Sequence, residues 1–170
     1  MLDLEPLFHQ INHDFFDGAI PLIPVEWSRR LTRSAGVFWW KRAPSRSLSA
    51  GIRLSEPLLV GRSLTDVQSI LAHECIHAWI ALCCQQPRHG HGPLFRRQLE
   101  RINCQTERFQ VTVHHSFTAE VRHLAKYCWE CASCHQLYYR QRNTIDPQRH
   151  RCGKCKGALR SRDVNHQYFN

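Results

Sequence analysis

The pentapeptide His73-Glu74-Cys75-Ile76-His77 constrains this chain more than any other stretch. It reads H-E-x-x-H inside an apolar run that extends from Ile70-Leu71-Ala72 to Ala78-Trp79-Ile80-Ala81-Leu82. On an α-helix, residues i and i+4 share one face about 6 Å apart. Two imidazoles so placed can share one Zn²⁺, and the Glu between them can reach a neighbouring water. The spacing therefore predicts a helix that supplies two metal ligands and a general base from one rigid turn, the core of a zinc peptidase.

A catalytic zinc takes three protein ligands and keeps one position open. The loop Arg88-His89-Gly90-His91-Gly92-Pro93 follows the motif helix and offers the third. Its glycines let the backbone fold back, and both His89 and His91 are within reach. His91 is favoured because Pro93 suits the first turn of a further helix that would anchor it. His89 is then a neighbouring or solvent-facing residue. Glu74 would act as the general base and return the proton to the leaving amine. Glu56 and Glu100 read as surface or capping charges.

The rest of the chain predicts an α+β protein. Leu4, Leu7, Phe8, Ile11 and Phe15 form the apolar stripe of an amphipathic helix ended by Asp17-Gly18. Strands are expected within Pro21–Trp27, Ala35–Trp40 and Ala50–Leu54, the last two forming a hairpin, and a strand-like stretch over Phe109–Val113. Ser63-Leu64-Thr65-Asp66 has the form of a helix N-cap for the motif helix. A helix from Pro93 would bury Leu94, Phe95, Leu99 and Ile102, and residues 116–127 read as one more helix. The expected architecture is a zincin-like metalloprotease domain, helices packed on a small, mostly antiparallel sheet. A small β-rich zinc-ribbon subdomain follows.

The cysteines divide accordingly. Cys131-x-x-Cys134 and Cys152-x-x-Cys155, seventeen residues apart, match the spacing of a structural zinc ribbon. Four thiolates close the tetrahedron, so that zinc is not catalytic. Cys128 and His135 are the less favoured ligands. Cys75, Cys83, Cys84, Cys104 and Cys128 show no disulfide framework and are expected as free thiols. The N-terminus has neither the basic nor the apolar region of a signal peptide, and no run of 18 apolar residues occurs, so an intracellular chain is expected.

Of the net charge of +9, residues 1–120 carry 13 Lys+Arg against 11 Asp+Glu, and residues 121–170 carry 10 against 3. The basic third points to a polyanion, nucleic acid above all. Within it Trp129, Tyr138 and Tyr139 interleave with Arg140, Arg142, Arg149, Arg151, Lys154 and Lys156. Cations can bind phosphates and exposed rings can stack unpaired bases. The competing reading is that the rings cover the zinc knuckles. The expected organisation is a metalloprotease domain over residues 1–127, a DNA-binding ribbon over 128–160 and a tail over 161–170.

Together these residues resemble the SprT-like metalloprotease family, its Spartan branch most closely. The resemblance rests on Ala35-Gly36-Val37, Ile52-Arg53-Leu54-Ser55-Glu56-Pro57-Leu58-Leu59, His73-Glu74-Cys75-Ile76-His77-Ala78, Gly90-His91-Gly92-Pro93-Leu94-Phe95, Arg101-Ile102-Asn103 and Trp129-Glu130-Cys131. It implies a DNA-dependent zinc endopeptidase that degrades proteins crosslinked to DNA, in crosslink repair and replication-associated damage tolerance, located in the nucleus on chromatin. It implies that His73, His77 and His91 bind catalytic zinc, that Glu74 is catalytic, and that the Cys module binds DNA with single-stranded character. The Cys83-Cys84 pair and His89 depart from the family pattern, and no motif for the segregase p97, the sliding clamp or ubiquitin is visible. Two alternatives stand beside this: a zinc-ribbon DNA-binding protein without proteolysis, and a DNA-independent intracellular metallopeptidase.

Overall fold

The computed structural model describes residues 2–42, 48–87, 90–113 and 117–164. The chain forms two compact units, Met1–His115 and Ser116–Asn170.

The first unit begins with helix α1, Leu4–Phe16. Asp3 caps it by accepting the Glu5 N–H, and Asp17 ends it in the left-handed conformation at φ 52°. Its apolar stripe is buried at Leu4, Phe8, Ile11 and Phe15. Strands β1 (Val25–Ser28), β2 (Gly36–Arg42) and β3 (Leu48–Ser55) follow. β2 and β3 form the expected antiparallel hairpin, while β1 pairs with β3 in parallel, so the sheet is mixed and β3 lies at its centre. Ile52 and Leu54 on β3 are wholly buried. A short helix α2, Glu56–Leu59, turns the chain under the cap of Ser55.

Helix α3, Leu64–Leu82, carries the pentapeptide. Ser63 and Asp66 form a reciprocal capping box at its start. α3 packs on β2 and β3 and against α1 and α4. The apolar run therefore has neighbours on several sides, and Ile70, Leu71, Ala72, Ile76 and Ile80 are buried completely or nearly so. Each buried Ile or Leu contributes about 1.5–3 kcal/mol by leaving water, which is why this helix holds polar His73 and Glu74 in fixed places. Helix α4, Pro93–Gln105, starts with Pro at its first turn.

Two asparagines tie helix ends to the chain eight residues on. The Asn12 amide donates to Ile20 O (2.9 Å) and accepts from Ile20 N (3.1 Å). Asn103 does the same to Val111, at 2.9 and 2.7 Å. The expected strand over Phe109–Val113 is thereby corrected. Phe109 and Val111 point inward in strand-like alternation, but the segment is not a strand. The Val111 main chain pairs with a side-chain amide.

In the second unit a helix spans only Thr118–His123 (α5) of the residues 116–127 expected to be helical. By Lys126 the chain has joined a sheet, its N–H donating to Arg140 O. Strands β4 (Tyr127–Cys131), β5 (Leu137–Arg140) and β6 (Leu159–Arg162) pair antiparallel in the order β5-β4-β6. Trp129, Cys131, Cys152 and Leu159 make its small core, with Cys134, Tyr138 and Ile145 packed against it. α5 falls in this unit, where the Arg122 guanidinium lies 5.5 Å from the Tyr139 ring centroid. Composition changes where Cys and Arg begin; the division into units comes earlier, where packing changes partners.

Candidate active site and metal centres

His73 and His77 project from one turn of α3, and His91 reaches them from the turn before α4. The three Nε2 atoms lie 3.1–3.2 Å from one another. A left-handed Gly90 (φ 52°) precedes His91, and Arg96 Nε on α4 donates to His91 O at 3.2 Å. Phe95, fully buried, packs against all three imidazoles, its centroid 4.6–4.8 Å from theirs. His89 lies outside the described residues.

This cluster fits a metal ion. A neutral imidazole carries one N–H and one bare nitrogen, so at most two of three mutual Nε2 contacts can join a donor to an acceptor. A cation shared by three bare nitrogens satisfies all of them. Tetrahedral zinc, with Zn–N bonds of about 2.0–2.1 Å, spaces its nitrogens about 3.3–3.4 Å apart, close to the separations here. His73 Nδ1 lies 2.8 Å from Thr112 O. A carbonyl only accepts, so this contact puts the proton on Nδ1 and leaves Nε2 bare for the metal.

Glu74, one residue along, is buried at 6 % exposure. Desolvation raises its carboxyl from 4.5 to about 7, opposed by the Phe38 N–H that donates to Oε2 at 2.6 Å. The carboxyl is thus held near neutrality by burial and oriented by the main chain of β2. Gly36, two residues before Phe38, makes the room. A Cβ there would stand 2.7 Å from Glu74 Oε1, 2.8 Å from Glu74 Cγ and 3.0 Å from Ile70 Cγ2. Gly36→Ala is therefore expected to cost about 1–3 kcal/mol by overpacking. In a Glu74→Ala background the cost should largely vanish, because two of the three clashing atoms are gone. Urea melts of the two single variants and the double variant check this; equal costs in both backgrounds would refute the contact.

The other carboxylates lie elsewhere. Glu56 opens α2 and pairs with Arg29 Nε at 3.1 Å. Glu100 is exposed on α4. Of the thiols expected to be free, Cys75 and Cys128 are buried, Cys84 is half-buried, and Cys83 and Cys104 are exposed.

The second cluster is Cys131, Cys134, Cys152 and Cys155, with all four sulfurs within 4.8 Å of one another. Cys131 Sγ is 3.4 Å from Cys155 Sγ, and Cys134 Sγ is 3.6 Å from Cys152 Sγ. Tetrahedral Zn–S bonds of about 2.3 Å would space sulfurs by about 3.8 Å, so this donor set also suits zinc. Gly157 sits too close to Cys131 Sγ and Ser133 Oγ to carry a side chain, at 3.0 and 2.6 Å from a Cβ. The Gly153 N–H donates to Tyr138 Oη at 2.9 Å, which leaves the hydroxyl proton for Cys152 Sγ at 3.1 Å. That hydrogen bond pulls the Cys152 thiol down to about 6, the direction a metal ligand needs.

These contacts sort the residues assigned to nucleic acid. Trp129 is a core residue at 7 % exposure, and Tyr138 packs on that core with its hydroxyl on a cysteine. The buried Trp129 ring is therefore no open stacking platform, and the half-buried Tyr138 ring lies over a zinc knuckle. Tyr139, on the opposite sheet face, is half-buried beside Arg122. Arg140 is half-buried over the Tyr138 ring, at 5.8 Å. Arg142, Arg149, Lys154 and Lys156 are exposed, as is Arg151, whose guanidinium donates to Pro147 O at 2.6 Å. Arg122, Arg160 and Arg162 add cations that the reading of the Cys module left out. Strand register was the missing signal, since it places Arg160 and Arg162 opposite Glu130 and Cys128.

The SprT-like family model matches residues 4–115. Over 130 residues, 76 % of this chain, the sequence is 39 % identical to the DNA-dependent metalloprotease SPRTN of Rattus norvegicus and 38 % identical to that of Homo sapiens. It is 37 % identical over 131 residues to the DNA-dependent metalloprotease dvc-1 of Caenorhabditis elegans. The aligned stretch covers 25, 26 and 35 % of those proteins, so the chain spans only about a quarter to a third of their length.

Proposed function

This chain belongs to the SprT-like family, and from that premise we propose that it is a DNA-dependent zinc metalloendopeptidase acting on proteins crosslinked to DNA. The observation that carries the reading is the convergence of three His Nε2 atoms at 3.1–3.2 Å beside a buried carboxylate on the same helical turn. His73, His77 and His91 would hold the ion. When bound, zinc would supply Lewis-acid polarisation of the scissile carbonyl and acidify water. Glu74 takes the proton of the attacking water and returns it to the departing amine, a role suited to a carboxyl one residue from His73 and held by the Phe38 N–H on Oε2. The Phe38 N–H fixes Oε2 during both transfers.

Cys131, Cys134, Cys152 and Cys155 would hold a second, structural zinc that orders the basic unit. DNA with single-stranded character is the activator, met by Tyr139, Arg140, Arg142, Arg149, Lys154 and Lys156, and the protein works on chromatin in crosslink repair. The names of the relatives, DNA-dependent metalloproteases, and the +7 excess of residues 121–170 support DNA as the activator. No helix among the described residues is long and apolar enough to cross a membrane.

The test is cleavage of a DNA-binding protein with and without single-stranded DNA, alongside Glu74→Gln. Cleavage only with DNA, lost in the variant, supports the reading. DNA binding without cleavage would make the chain a binding module, and cleavage regardless of DNA a general peptidase.

The exposed cations carry a separate expectation. Each of Arg142→Ala, Arg149→Ala, Lys154→Ala and Lys156→Ala that removes a phosphate contact should lower the salt slope of binding to single strands by about 0.7. Tyr139→Ala should weaken binding with the fold intact, by about 1–3 kcal/mol if the ring stacks on a base. Fluorescence anisotropy across a salt series separates the two effects; unchanged slopes in all four variants would move the DNA site elsewhere.

A further inference from the structure

We infer that Asn103 is a positioning residue for the three-histidine metal site, acting through the main chain of Val111 and Thr112. The inference rests on the reading that His73 is a metal ligand. Its basis is a continuous set of contacts. Asn103 near the end of α4 grips both main-chain groups of Val111, donating to its C=O at 2.9 Å and accepting from its N–H at 2.7 Å. Both sides of one peptide-bearing residue are thus fixed, so the segment can neither slide nor rotate freely. The next carbonyl, Thr112 O, meets His73 Nδ1 at 2.8 Å. One residue the other way, Gln110 O accepts from Ser69 Oγ, one turn before His73 on α3.

The spacing explains why the segment is extended but has no strand partner. Ser69 and His73 are one helical turn apart, about 6 Å. Gln110 and Thr112 are two extended residues apart, about 6.6–6.8 Å. Two side chains of one helix face can therefore each take a carbonyl of one extended segment, provided its register is held. Asn103 holds it from α4, and the buried Val111 side chain adds packing. The consequence reaches the metal. With Thr112 O present, His73 carries its proton on Nδ1 and keeps Nε2 bare and aimed at Nε2 of His77 and His91. Without it the Nδ1 proton loses the carbonyl that selects this tautomer. Such carbonyl partners of ligating histidines typically change metal affinity 10–100-fold.

The molecule contains its own control. Asn12 clips Ile20 with the same two bonds across the same eight-residue separation, and among the described residues Ile20 makes no hydrogen bond to a histidine of the site. Asn12→Leu and Asn103→Leu remove the same pair of hydrogen bonds with little change of volume. Only the second should alter metal binding.

The measurement is Co²⁺ titration of the metal-free chain against a competing chelator, read in the visible spectrum. There a three-histidine site and a four-thiolate site have different bands. Asn103→Leu is expected to weaken the histidine site about 10–100-fold and leave the thiolate site unchanged. Asn12→Leu is expected to lower the melting temperature and leave both sites unchanged. Equal weakening in both variants overturns the inference, since general loosening would then explain the effect. Should Asn103→Leu fail to fold, Asn103→Asp keeps the bond from the Val111 N–H and loses the one to its C=O. It should bind with reduced affinity, and wild-type affinity there overturns the inference. A wild-type chain without the three-histidine spectrum overturns the metal reading and the inference together. A normal spectrum with normal affinity in Asn103→Leu overturns the inference alone.

Discussion

Glu74→Gln is expected to lower DNA-stimulated proteolysis by about 10²–10⁴-fold, with metal content and fold retained. The substitution is nearly isosteric, and Gln can still accept the Phe38 N–H that now meets Oε2 at 2.6 Å. What it cannot do is take up and release a proton. Loss of activity with loss of zinc would point to a structural defect, whereas near-normal activity would remove Glu74 from the chemistry. The same variant has a stability signature in the metal-free protein. The unfolded carboxyl titrates at 4.5 and the folded one at about 7, because burial disfavours the charge. The folded state thus binds this proton more tightly, and stability from this group is complete below pH 4.5 and lost as pH rises through about 7. Relative to Glu74→Gln, the metal-free wild type should lose about 3 kcal/mol across that window. Urea melts at the two ends check it, and a difference independent of pH would mean that Glu74 is not desolvated.

Cys131→Ser or Cys152→Ser should unfold the second unit. Among its described residues, Trp129, Leu159 and two of the cysteines themselves form one core cluster with three further residues packed against it, and Ala125 and Cys128 are buried besides. So few apolar side chains offset little of the entropy lost in ordering β4, β5, β6 and the two knuckles. The metal must supply the difference, and structural zinc binding is worth about 10–16 kcal/mol in small modules at neutral pH. Zinc content should fall from two ions per chain to one. Amide exchange should become fast over β4, β5 and β6, while α3 and the three-histidine site stay protected. DNA-stimulated cleavage should disappear with the second unit. Protected strands in a one-zinc variant would show that the core holds without its metal. Trp129→Ala should resemble these variants, because Trp129 belongs to the core; Tyr139→Ala should not.

Trp129 and Tyr139 show where reading residues in order stops being informative. Both are aromatic, both lie among cations, and composition treats them alike. The β4–β5 register sets Trp129 beside Tyr138 and Cys128 beside Tyr139, so one ring enters the core and the other lies on the opposite sheet face. Alternation along each strand is local, but which face receives the zinc knuckles is not. The segment around Val111 is a second case. Its alternation predicts a strand, and it is extended, yet an asparagine amide takes the place of the neighbouring strand.

Residue order dictates the parts whose geometry is local. One helical turn separates His73 from His77, Pro93 starts the helix that anchors His91, and two C-x-x-C pairs each fit one knuckle. Residue spacing along regular backbone encodes these relations. Folding brings together what holds the chemistry in place: the Phe38 N–H on Glu74, the missing side chain of Gly36, and the Thr112 C=O on His73. Two of these are main-chain groups that every non-proline residue carries, and the third is an absence of atoms. The two main-chain groups have no signature in residue identity, and a glycine in the sequence does not say which side chain fills its space; each acts only because packing brings it to the turn of α3 that bears the two histidines and the glutamate.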